Sequence, residues 1–308
     1  MVDIKNDNFL EIVPYQGHTT FWRTEATRDI NQVDIAVYGI PLDLGTLNRP
    51  GARLGPRAIR EQMTLTGALG DIWPHGFDLR EKLKIIDYGD LSFMPGYIDD
   101  MLAVADQHLS GLADAGIAMM GLGGDHLIAY PEIKALARVH GPLSLIHFDA
   151  HTDCFEAERL NHGSMFWFAV NEGLIDPGRS IQIGIRTPIP EESQFSVITG
   201  IECQRMTPAE IVDRIRNLVG EHACFISVDV DGMDPAYTPG TGTPVPGGIS
   251  SGMQREILWG LKGVNALGCD VVEVSPPYDQ NGATAIVASY IAADLLHVLG
   301  ANRMASHQ

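Results

Sequence analysis

Two short segments carry acidic and histidine side chains at alternate positions. Asp149, His151 and Asp153 lie in the string DAHTD, and Asp229 and Asp231 lie in the string DVD. Because alternate side chains of an extended segment project to the same side, each string can direct its ligands to one point. Each string also follows an apolar run, where unpaired carboxylates are costly to bury. The spacing therefore indicates that a cation neutralises these carboxylates.

The donor set indicates which cation binds there. His126, in the string GGDH, follows another apolar run and brings the set to four carboxylates and two imidazoles, with no thiolate. Such an oxygen-rich set favours a pair of first-row divalent ions such as Mn²⁺, whereas zinc prefers fewer and softer ligands. Acids at strand ends commonly cap the next helix, but six candidates together are hard to explain as caps. We predict two Mn²⁺ ions per chain, with Ni²⁺ as the alternative metal.

These candidate ligands stand where predicted strands end. Apolar runs rich in Val and Ile alternate with amphipathic segments of helical period, which predicts one α/β domain of three layers with a mainly parallel sheet flanked by helices. Ligands of parallel sheets bind at the carboxyl ends of the strands. The predicted strands lie within 34–41, 84–91, 117–126, 143–151, 180–186, 224–232 and 267–276, and the clearest helices within 98–116, 131–141, 208–220 and 253–263.

Composition limits the classes of function. No linker, repeat or charge block divides the chain, so we predict a single domain over residues 1–308 with a loop-rich N-terminal extension of about 30 residues. The 21 basic and 39 acidic residues give a formal net charge of −18, which disfavours binding to nucleic acid or to an anionic membrane. No signal-peptide pattern, no run of about 20 apolar residues and no paired cysteines are seen, so we expect a cytoplasmic protein.

The strings around the candidate ligands resemble the metal-binding signatures of the ureohydrolase family, which includes arginases, agmatinases and guanidino-acid hydrolases. GGDH, DAHTD and SVDVDGMDP carry this resemblance, and their order and spacing are far more specific than any one string. The resemblance covers nearly the whole chain from residue 34 and implies a single α/β domain with a mainly parallel sheet. Further similar segments are 39–60, 162–166, 181–186, 239–244 and 270–279.

The resemblance implies how two manganese ions are held. Asp149 and Asp229 would bridge both ions, and the hydroxide held between the ions would attack the guanidinium carbon of a linear guanidine, releasing urea and an amine. The ligands of one ion would be His126, Asp149, Asp153 and Asp229, and those of the other would be Asp149, His151, Asp229 and Asp231.

Three residues are expected to act in catalysis. Asp153 would orient the hydroxide through a hydrogen bond. Glu273, which ends an apolar strand, matches the family's guanidinium-binding acid and can form a charge-assisted pair with a planar guanidinium; a buried ion pair with an arginine is the alternative. His162 matches the family's mobile-loop histidine, which shuttles protons, and a solvated loop histidine is the alternative.

The tail of the substrate is expected to contact the segment 154–161. This segment lacks the Asn- and Ser-bearing pattern by which arginases hold an α-amino acid, and the chain as a whole is most similar to bacterial agmatinases, so we predict the conversion of agmatine to putrescine and urea. Glu156 or Glu158 would then receive the distal cation of agmatine. Arg159 could instead pair with the carboxylate of 4-guanidinobutanoate or 3-guanidinopropanoate, and another guanidine or a biguanide stays open.

Two other classes of function are considered. A non-catalytic subunit that supports a partner chain would be marked by a lost metal ligand, and no ligand is lost here. A deacetylase would use one metal and a different ligand set. Members of the family usually form trimers or hexamers, so the resemblance also implies a homotrimer or a homohexamer.

Overall fold

The computed structural model describes residues 17–191 and 193–306. Within these residues nine strands form one sheet, and the paired strands all run parallel. The strands are β1 (Glu25–Ala26), β2 (Ile35–Ile40), β3 (Ile85–Asp90), β4 (Ala118–Gly123), β5 (Ser144–Phe148), β6 (Ile181–Ile185), β7 (Ser196–Thr199), β8 (Cys224–Asp229) and β9 (Ala266–Val272). Their order across the sheet is β1-β3-β2-β4-β9-β8-β5-β6-β7.

Helices cover both faces of this sheet. The helices are α1 (Gly55–Gln62), α2 (Thr64–Leu69), α3 (Ile98–Asp114), α4 (Ala129–His140), α5 (Met165–Asn171), α6 (Gly200–Cys203), α7 (Pro208–Val219), α8 (Ser251–Gly260) and α9 (Ala283–Ser306). Along β2, Ile35 and Val37 pack with α1 and α9, whereas Ala36 and Tyr38 pack with α3 and α4. Alternate residues of the strand therefore enter separate apolar layers, and the predicted three-layer α/β domain is confirmed.

The predicted strands and helices agree with the observed ones. Each of the seven apolar runs overlaps a strand, and each of the four helical segments overlaps a helix; α4 and α8 begin two residues earlier than predicted and β9 one residue earlier. Strands β1 and β7 were not predicted, because strands of two and four residues at the sheet edges are too short to show a period. The residues at both ends of helix α7 are typical of helix boundaries. Thr207 and Glu210 form a capping box at its start, and Gly220 ends the helix with a positive φ of 58°.

The sheet brings the candidate site together. Strands β4, β9, β8 and β5 are neighbours in that order, and each is followed at its carboxyl end by candidate site residues. His126 follows β4 and Glu273 follows β9. Asp229 ends β8, and Asp149 follows β5. Residues spread over about half of the chain therefore meet at one edge of the sheet.

The N-terminal extension contributes to the core where it is described. Phe21 and Trp22 are fully buried, and β1 pairs with β3. The Phe21 amide donates to Asp87, which also accepts two hydrogen bonds from the buried Arg60 guanidinium. The part of the predicted loop-rich extension before residue 17 lies outside the described residues.

The C-terminal helix corrects the expectation that no segment is long and apolar enough for a membrane span. Within residues 280–305, an 18-residue window reaches a mean hydropathy of 1.5, which is enough for a membrane span by length and composition alone. In the structure, 72% of the apolar window is buried inside the domain, and α9 packs against α1, α8 and β9. A buried core helix can be as long and as apolar as a membrane span, so the packing of α9 inside the domain accounts for its apolar composition.

The buried ion pair at α1 should dominate the electrostatic contribution of that helix to stability. Asp87→Ala should lower the free energy of unfolding by about 3 kcal/mol, because it leaves the Arg60 guanidinium buried without its bidentate partner. Urea denaturation measures this change. The control is Glu61→Ala, which removes the exposed pair with Arg57 on the same helix and should cost about 0.5 kcal/mol or less. Equal losses in the two variants would contradict this interpretation.

Candidate metal centre and active site

The His126 ring faces three carboxylates in a fully buried position. Its Nδ1 lies 3.2 Å from Asp149 Oδ2, 2.9 Å from Asp153 Oδ2 and 3.4 Å from Asp229 Oδ2. Nδ1 is nevertheless buried without a hydrogen-bond partner among the described residues. A buried nitrogen opposite three carboxylate oxygens is the arrangement that a bound cation satisfies.

A second group of ligands shares Asp149 with the first. His151 Nδ1 lies 3.3 Å from Asp149 Oδ1 and 3.2 Å from Asp231 Oδ2. Asp149 therefore directs one oxygen to each group, as the predicted bridging role requires. Asp229 directs Oδ2 to the first group, while its Oδ1 accepts a hydrogen bond from the Asp231 amide at 2.7 Å. The structure thus brings all six predicted ligands together in two adjoining groups.

His147 is part of the same cluster, although the sequence analysis did not single it out. Its Nε2 lies 2.8 Å from Asp149 Oδ2, and its Nδ1 lies 3.0 Å from Gln182 Nε2. Gln182 Nε2 also donates to the Thr152 carbonyl, so this atom is the amide nitrogen and His147 Nδ1 is an acceptor. The proton of His147 is then on Nε2 and faces Asp149, which makes His147 a donor to a ligand. The sequence contains a signal for this role, since His147 lies two residues before Asp149 and so on the same side of the extended segment.

Two residues of the site have a backbone conformation that non-glycine residues rarely adopt. Asp153 has a φ of 48° and Glu273 a φ of 65°. Positive φ values of this kind are strained and cluster at functional sites, where the surrounding contacts hold them in place. Gly232 shows how tightly the loops meet, since a Cβ there would lie 2.8 Å from the Asp149 amide nitrogen. The loops that carry Asp149 and Gly232 therefore pass each other at close range.

Glu273 presents one carboxylate oxygen without a partner. Oε1 accepts hydrogen bonds from the His126 amide and from His162 Nδ1, both at 2.9 Å. Oε2 is buried and makes no hydrogen bond. A Cβ at Gly242 would lie 3.3 Å from Oε2, so the glycine leaves room in front of this oxygen. Among residues 17–191 and 193–306 no arginine pairs with Glu273, so the alternative of a buried ion pair with an arginine is wrong for this part of the chain.

His162 is buried and bonded at both ring nitrogens. Nδ1 bonds to Glu273, and the Leu47 amide donates to Nε2 at 2.9 Å. Burial opposes a charged ring, but the hydrogen bond and charge of Glu273 raise the pKa of His162 to about 9. Because an N–H cannot donate to a protonated Nε2, protonation has to break the Leu47 contact. The alternative of a solvated loop histidine is wrong, because the His162 ring is buried. Protonation of His162 at Nε2 also requires the loop at Leu47 to move away from that nitrogen.

Crowding of the acids changes their proton affinities. Burial, followed by the charges of Asp231 and Asp149, raises the pKa of Asp229 well above its ordinary value. Burial and Asp149 raise the pKa of Asp231 to about 6. Burial opposes a charged His151, but Asp149 and Asp231 outweigh it and raise its pKa to about 12. Without a metal ion, the cluster therefore retains protons that a cation would displace.

The residues predicted to bind the substrate tail lie at two separate cavities. Glu156 lines a cavity of about 110 Å³ beside Cys154 and Trp167. Glu158 and Arg159 line a cavity of about 650 Å³ on the other side of this segment. All three charged side chains are exposed, and their roles stay predictions. Burial, followed by the charge of Asp153, raises the pKa of the Cys154 thiol to about 12, which does not favour a nucleophilic thiolate at neutral pH.

Comparison with known proteins decides the family. Residues 33–297 match the family described as the Arginase family. The chain belongs to the arginase family. It is 40% identical over 295 residues to an agmatinase of Neisseria meningitidis serogroup C, covering 96% of this chain and 92% of the relative.

Solved structures agree with this family. The X-ray structure of a hypothetical agmatinase from Burkholderia thailandensis has a TM-score of 0.92 and 43% identity, and covers 96% of this chain and 94% of the other. Proclavaminate amidino hydrolase from Streptomyces clavuligerus has a TM-score of 0.89 and 37% identity, and covers 94% of this chain and 99% of the other.

Membership of the arginase family shows that the protein is a ureohydrolase enzyme. The family implies a binuclear divalent metal centre, and the residues present fit one. Asp149 belongs to both groups, the donors are carboxylate and imidazole only, and the buried His126 Nδ1 has no other partner.

The raised pKa values predict that metal binding depends on pH. Each proton held by the metal-free cluster has to leave when the ion binds, so the affinity for Mn²⁺ should rise with pH. The proton of His151, with a pKa of about 12, is displaced throughout the neutral range, and that of Asp231, with a pKa of about 6, adds to the slope below pH 6.

Titration of chelator-treated protein with Mn²⁺ between about pH 5.5 and 8 measures this slope, and proton release in weak buffer measures the number of protons. His151→Asn should release fewer protons per ion than the wild type. An affinity that does not change with pH would contradict the protonated state of the metal-free cluster.

Proposed function

We propose that this enzyme hydrolyses agmatine to putrescine and urea at the acidic cluster. The observation that carries the proposal is the unpartnered, buried Oε2 of Glu273 beside the six candidate ligands. A planar guanidinium placed there donates an N–H to Oε2 in a charge-assisted hydrogen bond. The agmatinases at about 40% identity over nearly the whole chain support agmatine as the guanidine.

The proposal assigns the metal as two Mn²⁺ ions, with Ni²⁺ as the alternative. When bound, a divalent pair lowers the pKa of water and so supplies a nucleophile at neutral pH. The first group of residues would hold one ion and the second group the other, with Asp149 and Asp229 common to both. The first group is His126, Asp149, Asp153 and Asp229, and the second is Asp149, His151, Asp229 and Asp231.

The residues of the chain orient the reactants and move protons. Glu273 would hold the guanidinium with its carbon towards the cluster, and the Asp153 carboxylate would accept a hydrogen bond from the attacking water. His162 bonds to Glu273 through Nδ1 and would give a proton to the leaving amine of a guanidine held by Glu273. The Leu47 amide has to leave His162 Nε2 before that nitrogen can carry a proton.

A guanidino acid is the second candidate substrate. Arg159 is exposed at the cavity of about 650 Å³, where its charge can pair with a carboxylate tail. The amidino hydrolase of Streptomyces clavuligerus is also nearly as similar to this chain as the agmatinases are. 4-Guanidinobutanoate and 3-guanidinopropanoate are therefore the first alternatives to test, followed by other guanidines and biguanides.

Assembly and location are proposed on the family resemblance. We expect a homotrimer or a homohexamer in the cytoplasm, without nucleic acid or membrane as a partner. The net charge of −18 supports the absence of polyanionic partners. Light scattering at working concentration tests the proposed assembly, and a purely monomeric protein would contradict it.

Urea release tests the proposed function directly. Metal-loaded protein should release urea from agmatine with a higher kcat/KM than from arginine, 4-guanidinobutanoate or small guanidines. Glu273→Gln should lower kcat/KM for agmatine by at least about 30-fold, because losing a buried charged partner costs about 2 kcal/mol or more. Glu61→Gln, at an exposed position of α1, is the control. A metal-loaded wild type that releases no urea from any guanidine would refute the proposal.

Substitutions at the segment 154–161 distinguish the two kinds of tail. If Glu158 receives the distal ammonium, Glu158→Gln should raise the KM for agmatine about two- to fivefold, as expected for an exposed pair worth up to about 1 kcal/mol. The same test applies to Glu156→Gln at the other cavity. Arg159→Ala should selectively lower activity on 4-guanidinobutanoate if Arg159 binds a carboxylate. An equal loss of kcat/KM on both substrates would mean that none of these residues selects the tail.

A further inference from the structure

A chain of buried polar side chains runs from His126 away from the acidic cluster. His126 Nε2 lies 2.7 Å from Ser227 Oγ, and Ser227 Oγ donates to Asp270 Oδ1 at 2.7 Å. Asp270 lies beside Glu132 of α4, because a Cβ at Gly121 would meet both Glu132 Oε1 and Asp270 Cβ. Glu132 Oε1 also accepts a hydrogen bond from the Tyr38 hydroxyl at 2.8 Å. All five side chains belong to fully buried residues. The chain therefore links a predicted metal ligand to the apolar layer between the sheet and α4.

Two oxygens in this chain are without a partner unless the acids share a proton. Glu132 Oε2 and Asp270 Oδ2 are buried and accept no hydrogen bond from any donor. Two ionised carboxylates can only accept, so two carboxyl groups that are hydrogen-bonded to each other hold a proton between them. Burial and the neighbouring Asp270 raise the pKa of Glu132 well above its ordinary value, in agreement. A proton shared by the two acids leaves only one negative charge in this buried pair.

The shared proton fixes the direction of every hydrogen bond up to His126. Whichever acid carries it, Asp270 Oδ1 stays an acceptor. Ser227 has one proton and donates it to Oδ1, so the Ser227 oxygen has only lone pairs to offer to His126. His126 therefore carries its proton on Nε2, and its Nδ1 lone pair points at the three aspartates of the first group.

We propose that the hydrogen-bonded pair of Glu132 and Asp270, acting through Ser227, positions His126 as a metal ligand by holding its proton on Nε2. Glu132 and Asp270 are positioning residues, and the inference rests on the metal centre of the proposed function. Gly121 of β4 makes room for the pair, because a Cβ there would lie 2.0 Å from Glu132 Oε1.

Substitution of Glu132 should reverse the direction of the hydrogen bonds from Asp270 through Ser227 to His126. In Glu132→Met, Asp270 is left as a lone buried carboxyl group, which takes up a proton and can donate it to Ser227. The Ser227 hydroxyl then turns towards His126 Nε2, and the imidazole proton moves to Nδ1, where it opposes a metal ion. Glu132→Gln preserves the direction, because its amide N–H donates to Asp270 and its carbonyl accepts from Tyr38.

Titration of chelator-treated, full-length protein with Mn²⁺ tests the proposal. Glu132→Met should weaken one of the two binding events by about 10- to 100-fold and leave the other unchanged, whereas Glu132→Gln should stay within about threefold of the wild type. His126→Asn identifies the event that belongs to the first group. If Glu132→Met does not fold, Ser227→Ala breaks the last link with a smaller change and should weaken the same event.

Asp294→Asn is the matched control. Asp294 is an equally buried acid that accepts hydrogen bonds from Arg255 and Trp259 and contacts His75 on α9's side of the sheet. Its substitution should lower thermal stability and leave both Mn²⁺ affinities unchanged. Wild-type affinity at both events in folded Glu132→Met or Ser227→Ala, or an equal loss at both, would overturn the proposal. A wild type that binds two Mn²⁺ ions but releases no urea would instead refute the proposed function.

Discussion

Four aspartates and a glutamate are buried at neighbouring strand ends, and this concentration of negative charge determines what the surrounding residues do. Asp149, Asp229 and Glu273 have exposures of at most 3%, and the sheet holds them in place by its strand order rather than by ion pairs with arginine. In a low-dielectric interior such charges need protons or cations. The donors around them include imidazoles, backbone amides and the Thr243 hydroxyl, and without a metal ion the protons held by the cluster offset part of the negative charge.

The orienting donors are arranged on both sides of the cluster. Gln182 holds the His147 proton towards Asp149, and Ser227 accepts the proton of His126 so that its other nitrogen faces the acids. The two histidines thus play opposite parts, one as a donor to a ligand and one as a ligand. The difference follows from the next residue along each chain of hydrogen bonds, since an amide nitrogen donates to one ring and a hydroxyl oxygen accepts from the other.

The substrate side of the site is built from segments that are distant in the sequence. Glu273 accepts from His162, and His162 in turn accepts from the Leu47 amide, so one hydrogen-bonded line joins β9, the loop before α5 and the loop after β2. Leu47 is 74% exposed, so the loop that holds His162 lies at the surface. A proton on His162 Nε2 and the Leu47 contact exclude each other, which links the acid–base state of the site to the position of this loop.

Much of this architecture is determined by local patterns in the sequence. Apolar runs that end in Gly, Asp or Pro predict the seven main strands. The alternate spacing in DAHTD and DVD predicts ligands on one side, because alternate side chains of an extended chain share a side. The donor set brings His126 to the same site, and the family resemblance adds catalytic roles for Glu273 and His162. The edge strands β1 and β7 were not predicted, since two to four residues carry no period of their own.

Only the tertiary structure decides which polar groups meet. The pairing of Glu132 with Asp270, the contact of Leu47 with His162 and the role of His147 all join residues whose spacing is set by the packing of α4, of the loops and of the sheet. The same packing separates Glu156 from Glu158 and Arg159, which the sequence places almost side by side. Sequence periodicity fixes the side of an element on which a residue lies, whereas the direction of a hydrogen bond depends on every partner around it.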